Sequence, residues 1–241
     1  MTDEVESYDN DGCDWYLQHL AAIGRTEEED RRVVVHESGH AIAARALGHE
    51  LGGMTADPDP NGKYGGLVWG PRHSVAFGKD VDADAVPDLC DKLRAAMPKV
   101  GERRADAADA YMHALNRCIE LAAAATAERM LLPGDPVASR SDVEHSVRYA
   151  AMVTNSPEAG LKFIALAEQM ADDLLRPYWH VLIVLSTALK IRRTMTGAEI
   201  DAVIADVVAQ FELLWQQAQR REWNDRVKNS ASFDFEVLHC G

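Results

Sequence analysis

Val33-Val34-Val35-His36-Glu37-Ser38-Gly39-His40-Ala41-Ile42-Ala43-Ala44 is the stretch that decides how this chain is read. It sets His-Glu-x-x-His inside an apolar run of helical character. Residues four apart share a helix face, so His36 and His40 can turn two imidazoles toward one metal ion. Glu37 stands beside them, where a carboxylate can polarise a water or take its proton. Two histidines at this spacing also occur as a packed pair without an ion; the glutamate between them favours the metal.

Upstream of that stretch, Thr26 and Glu29 stand in capping-box spacing, and Glu27, Glu28, Glu29 and Asp30 crowd the first turn, where negative charge suits the helix dipole. The spacing predicts a helix over 26–47, stopped by Gly48. Residues 1–25 read as an acidic extension, holding a short helix over 13–23 with Trp15, Tyr16, Leu17 and Leu20.

Downstream, extended runs over 51–56 and 64–69 flank Pro58-Asp59-Pro60-Asn61-Gly62 and read as a β-hairpin, the only β-structure expected. Residues 74–87 read as an acidic solvated loop, 89–97 as a short helix and 103–132 as a long one. In the long helix Tyr111, Leu115, Cys118, Ala122 and Ala125 mark the expected buried stripe, and the alanines over 122–125 point to close helix contact. After Pro133-Gly134-Asp135-Pro136, Ser141 and Glu144 predict a capping box for a helix to about residue 153. Helices over 157–175 and 177–193 follow. Thr196 with Glu199 opens a last one, running to about residue 226 with Phe211, Leu214, Trp215 and Trp223, read mainly as cover for the core. The fold class is mostly α (α+β), with a small β-hairpin or sheet beside the motif helix.

At 241 residues, 47% apolar and 27% charged, the chain can bury a full core. A net charge of −14 argues against nucleic acid and anionic lipid as partners, since both call for clustered cations. Cys13, Cys90, Cys118 and Cys240 form no Cys-x-x-Cys pair and read as reduced thiols. The acidic start has no apolar core of a signal peptide, and the most hydrophobic stretch, 179–191, is too short and polar to span a bilayer. A cytoplasmic protein is expected.

A catalytic zinc commonly takes three protein ligands, so a third must come from elsewhere. The His-x-x-Gly-x-x-His extension of metzincins is absent, and Glu50 lies beyond the helix end. Asp142, in a first helical turn after a Pro/Gly break, is chemically well placed. His145, three residues on, is its rival.

Around these residues the chain resembles the peptidase domain of the FtsH-type AAA zinc metalloproteases. Residues 28–41 look like that family's motif helix, and 54–66 like its strand, Pro-containing turn and returning Gly-aromatic strand. Ala127-Glu128-Arg129-Met130 with Ser141-Asp142-Val143 resembles its Ala-Glu-Glu-Leu and Asn-Asp-Leu segments, and 174–200 its closing helices, ending at Thr196-Gly197-Ala198-Glu199-Ile200. The likeness covers 26–208 and leaves 209–241 as a C-terminal helical extension and tail. It implies a zincin-like domain with Zn2+ held by His36, His40 and Asp142, Glu37 as general base, and Glu128 supporting the site. The family's Gly-Gly-Arg is replaced by Ala124-Ala125-Thr126, and its second Glu by Arg129.

No Gly-x4-Gly-Lys-Ser/Thr loop or membrane anchor occurs in the sequence. The expectation is an ATP-independent zinc metallopeptidase acting on peptides or unfolded segments, as a homo-oligomer or fed by a separate ATPase. The alternative is a non-catalytic, zinc-stabilised interaction or adaptor module.

Overall fold

The computed structural model describes residues 11–62, 64–71, 95, 97–99, 102, 103, 107–137 and 139–239, with side chains described between 15 and 230. The acidic loop and most of the short helix expected over 74–97 lie outside the described residues.

Helix α2, Glu27–Ala46, is the axis of the fold. Thr26 caps it through the expected box: its hydroxyl accepts from Glu29 N–H, and the Glu29 carboxylate accepts from Thr26 N–H at 2.8 Å. Gly48, in a left-handed conformation (φ 80°), lets the chain turn away after the helix ends. Helix α1, Asp11–Ala22, leans on α2 and stops before Gly24, as expected.

Helix α2 packs against α3, Ala108–Leu131, and the contact is very close. A β-carbon at Gly39 would stand 2.7 Å from the Ala123 carbonyl oxygen and 2.7 Å from the Ala127 β-carbon. The alanine run therefore does bring two helices together. The buried stripe of α3 differs from the expected one. Leu115 and Cys118 are buried, but Tyr111 is exposed and Ala122 and Ala125 are only half-covered. Ala123, Ala124 and Ala127 are buried instead, because the face toward Gly39 is the one that small residues allow to close.

Helices α4, Arg140–Val153, and α5, Pro157–Leu175, complete a layer against α3. The N-cap of α4 is Ser139, whose hydroxyl accepts from Asp142 N–H, rather than Ser141; Glu144 pairs with Arg140 at 2.7 Å instead of closing a box. A 3-10 turn, Arg176–Tyr178, leads into α6, Trp179–Arg192, which also packs on α2.

The expected hairpin forms from β1, Gly53–Thr55, and β2, Leu67–Trp69, antiparallel with Met54 opposite Val68. A third strand, β3, Thr194–Thr196, pairs antiparallel with β1 on its other side, giving the order β2-β1-β3. Three residues between two helices are too short to show a period of two, so the sequence reads them only as a helix cap. Thr196 serves both purposes, since its capping box with Glu199 also forms.

An ion-pair network knots these parts together. Asp30 is fully buried and receives both Nη atoms of Arg193 at 2.8 Å, Arg25 Nη1 at 3.0 Å and the Tyr16 hydroxyl at 2.9 Å. Arg193 takes a left-handed backbone (φ 64°), uncommon for a residue with a side chain, at the corner between α6 and β3. Arg25 also donates to the Ala56 and Gly65 carbonyls, which pins both arms of the hairpin loop.

Helix α7, Gly197–His239, starts on the core through the buried Ile200 and then runs on beyond it. Phe211, Leu214, Trp215 and Trp223 are exposed rather than covering the core. No described helix is long and apolar enough to cross a membrane.

Candidate metal centre

The His-Glu-x-x-His residues occupy two turns in the middle of α2, and α4 supplies the third group. Asp142 Oδ2 lies 3.1 Å from His36 Nε2 and 3.4 Å from His40 Nε2. One donor atom from each of the three falls within 4.8 Å of the others. Ligand atoms on a tetrahedral ion with bonds of about 2.0–2.1 Å stand about 3.4 Å apart, so this spacing fits a metal. The described residues thus hold a His-His-Asp group able to take a metal ion.

The second nitrogen of each imidazole is already engaged. His36 Nδ1–H donates to Glu128 Oε1 at 2.8 Å, and His40 Nδ1–H donates to the Glu120 carbonyl at 2.8 Å. Both bonds hold the rings at the angle needed and leave each Nε2 facing Asp142. The rings stand nearly perpendicular, at 84°, with centroids 4.9 Å apart. Glu128 is itself buried and fixed, accepting from Val137 N–H at 3.1 Å and Arg32 Nη1 at 3.3 Å. Arg32 also donates to the Pro133 and Asp135 carbonyls, so it ties α2 to the break that sets the direction of α4.

The charges reinforce one another. Burial would lower the His36 imidazolium, but bonds to Asp142 and Glu128 push it up to about 10. Burial would raise Asp142, but the two histidines hold its carboxyl far below the usual carboxylate range. Nε2 of His36 can thus carry either a proton or an ion, and the two compete.

Glu37 is buried on the cleft side of α2, and burial pushes its carboxyl up, against the pull of His40 and His36. Gly66 lies directly on it: a β-carbon there would come 2.6 Å from Glu37 Oε1 and 2.8 Å from the Val33 side chain. The chain entering β2 can pass over the carboxylate only because position 66 has no side chain. A cleft of about 670 Å³ runs between the edge of β2 and the start of α4, lined by His36, Glu37, His40, Trp69, Asp142 and Tyr149 among others. β2 borders this cleft with the edge that does not pair with β1.

The structure brings His36, Glu37, His40 and Asp142 together, and Glu128 accepts a hydrogen bond from His36 Nδ1–H. His145 lines the same cleft but stands outside the His-His-Asp group, with Nδ1 3.5 Å from the Ser141 hydroxyl. Sequence reasoning did not find the roles of Arg32 and the Glu120 carbonyl. A backbone carbonyl carries no sequence signal, whereas Arg32, four residues before His36 and so on its helix face, could have been noticed. No family model matches the chain, and no curated protein matches it either.

Proposed function

We propose that this protein is a zinc-dependent metallopeptidase that acts on peptides or unfolded segments, on a zincin-like fold similar to the FtsH-type peptidase domain. The observation that carries this reading is the convergence of two Nε2 atoms and Asp142 Oδ2 beside the buried carboxylate of Glu37, in a cleft bordered by a strand edge. Two imidazoles and one carboxylate suit zinc, and a three-residue set leaves a position for water.

Bound there, zinc would supply Lewis acidity, bringing a water toward ionisation near neutral pH and polarising a peptide carbonyl. The chain's own residues do the rest. Glu37, its carboxyl raised by burial, takes the proton of the attacking water and delivers it to the leaving amine. Glu128 and the Glu120 carbonyl keep the imidazoles oriented. Among the described residues no strand pairs with the outer edge of β2, and its backbone groups would take an extended substrate as a further strand across the cleft. A strand already held within a folded domain has few backbone groups free to pair in a cleft, hence the preference for peptides and unfolded segments.

The test is hydrolysis of a fluorogenic library of unstructured peptides, before and after chelation and after restoring zinc. Cleavage that vanishes and returns with zinc supports the reading. A zinc-loaded protein that cleaves nothing would favour the adaptor alternative. Replacing Leu67 or Val68 by Pro tests the strand edge: cleavage should fall at unchanged zinc content, and unaltered kinetics for both would rule strand addition out.

A further inference from the structure

From Val208 to Ser230 every residue of α7 is exposed, over a length of about 35 Å. A helix of this kind in water ordinarily gains its stability from packing one apolar face. This one carries a row of residues four apart: Phe211, Trp215, Gln219, Trp223 and Val227. Such a row is one of the ridges by which helices interdigitate when they cross at roughly −50°.

The row is symmetric about its centre. Reversed around Gln219, Phe211 falls on Val227 and Trp215 on Trp223, apolar on apolar, with Gln219 meeting itself at the centre. One charge pair follows the same symmetry with opposite sign: Glu212 falls on Arg226. At 100° per residue the row winds from about 80° on one side of the Gln219 direction at Phe211 to about 80° on the other at Val227. Glu212 and Arg226 both lie within about 20° of that direction and so face the centre. Arg226 already rests on the Trp223 ring, 5.8 Å from its centroid, with its charge beside the row. At the base of the row Phe211 stacks on His180, with centroids 4.2 Å apart, and exposed Trp179 continues the aromatic surface onto α6.

We infer that α7 is a self-association helix: two copies of the chain cross antiparallel about a two-fold axis at Gln219, through Phe211·Val227 and Trp215·Trp223 contacts closed by two Glu212·Arg226 pairs. A surface that is its own complement under a two-fold rotation is what an isologous dimer needs. Trp215 is 55% and Trp223 62% exposed. Covering these rings and Phe211 on both copies, with Trp179 at each end, brings the buried area to roughly 1,000 Å², the lower bound for a specific interface. The interface contains no residue of the metal centre and does not depend on its chemistry. Leu213 and Leu214 point to other sides of the helix and stay outside it.

Sedimentation equilibrium of the full chain tests this. The expected mass is twice 26.5 kDa for the wild type. E212R and R226E each set like charges against one another and should raise the dissociation constant at least about tenfold, whereas E212R/R226E should restore it. L213S, on another face, should leave the dimer unchanged. A wild-type mass of 26.5 kDa at micromolar concentration would overturn the proposal, in favour of a different partner for this face. Single reversals without effect, or a double variant that stays dissociated, would overturn the antiparallel register.

Discussion

Gly39 of α2 and Ala123 of α3 meet backbone to backbone, and a β-carbon at position 39 would lie 2.7 Å from the Ala123 carbonyl oxygen. This approach brings α3 near enough for the Glu120 carbonyl, about one turn away, to take the His40 Nδ1–H. One missing methyl thus sets both the packing of two helices and the orientation of a candidate ligand. G39A should lower stability by about 3 kcal/mol, as overpacking against backbone does, and weaken metal binding through His40. Denaturant unfolding and metal titration of the variant check this; wild-type values for both would show that the helices can separate freely.

Glu128 reaches the candidate metal centre through its hydrogen bond to His36. E128Q keeps the shape of the side chain but removes the charge that accepts from His36, Val137 and Arg32. Loss of such a partner typically weakens metal affinity about 10–100-fold. Competition with a chromogenic chelator should read that loss. An unchanged affinity would reduce Glu128 to a purely structural carboxylate.

The Asp30–Arg193 pair is buried on both sides, so removing one partner strands a charge. D30A should cost about 3–5 kcal/mol. Burial would raise the Asp30 carboxyl, but bonds from Arg193, Arg25 and Tyr16 hold it below its ordinary value. Its contribution is therefore present above the unfolded value of about 3.9 and is lost as pH falls through the lower folded value. Acid unfolding followed by circular dichroism should show a shallower pH dependence for D30N than for the wild type.

His36 predicts the opposite sign. Its folded value is raised to about 10, so in the metal-free protein it stabilises fully below the unfolded value of about 6.5, and that contribution is lost as pH rises through 10. Over the same window metal must displace the proton, so apparent affinity should climb by up to about tenfold per pH unit. Calorimetry in buffers of different ionisation enthalpy should detect the released proton. A flat affinity between pH 7 and 9, with no proton release, would contradict the exchange of proton for metal at Nε2.

Much of this organisation was legible because the local signals are strong. The Thr26–Glu29 box, Gly48, the Asn61-Gly62 turn and Pro157 each fix a backbone state that few other residues would supply, and each marks an element found in the structure. His36, Glu37 and His40 were legible from one helical period. Asp142 needed chemical argument and a family likeness, since 102 residues separate it from His40 and no periodicity links them. What stayed hidden depends on tertiary pairing: the three-residue strand β3, the face α3 turns toward Gly39, and the Asp30–Arg193 pair, which joins residues 163 apart.

The central claim is that Glu37 works on a water at a metal held by His36, His40 and Asp142. The most direct measurement determines zinc content and cleavage of one unstructured peptide substrate, side by side, for the wild type and E37Q. About one zinc per chain is expected in both proteins, with cleavage by the wild type and a loss of at least about 100-fold in E37Q. Equal cleavage by the two proteins, or a wild type that binds no zinc, would contradict it.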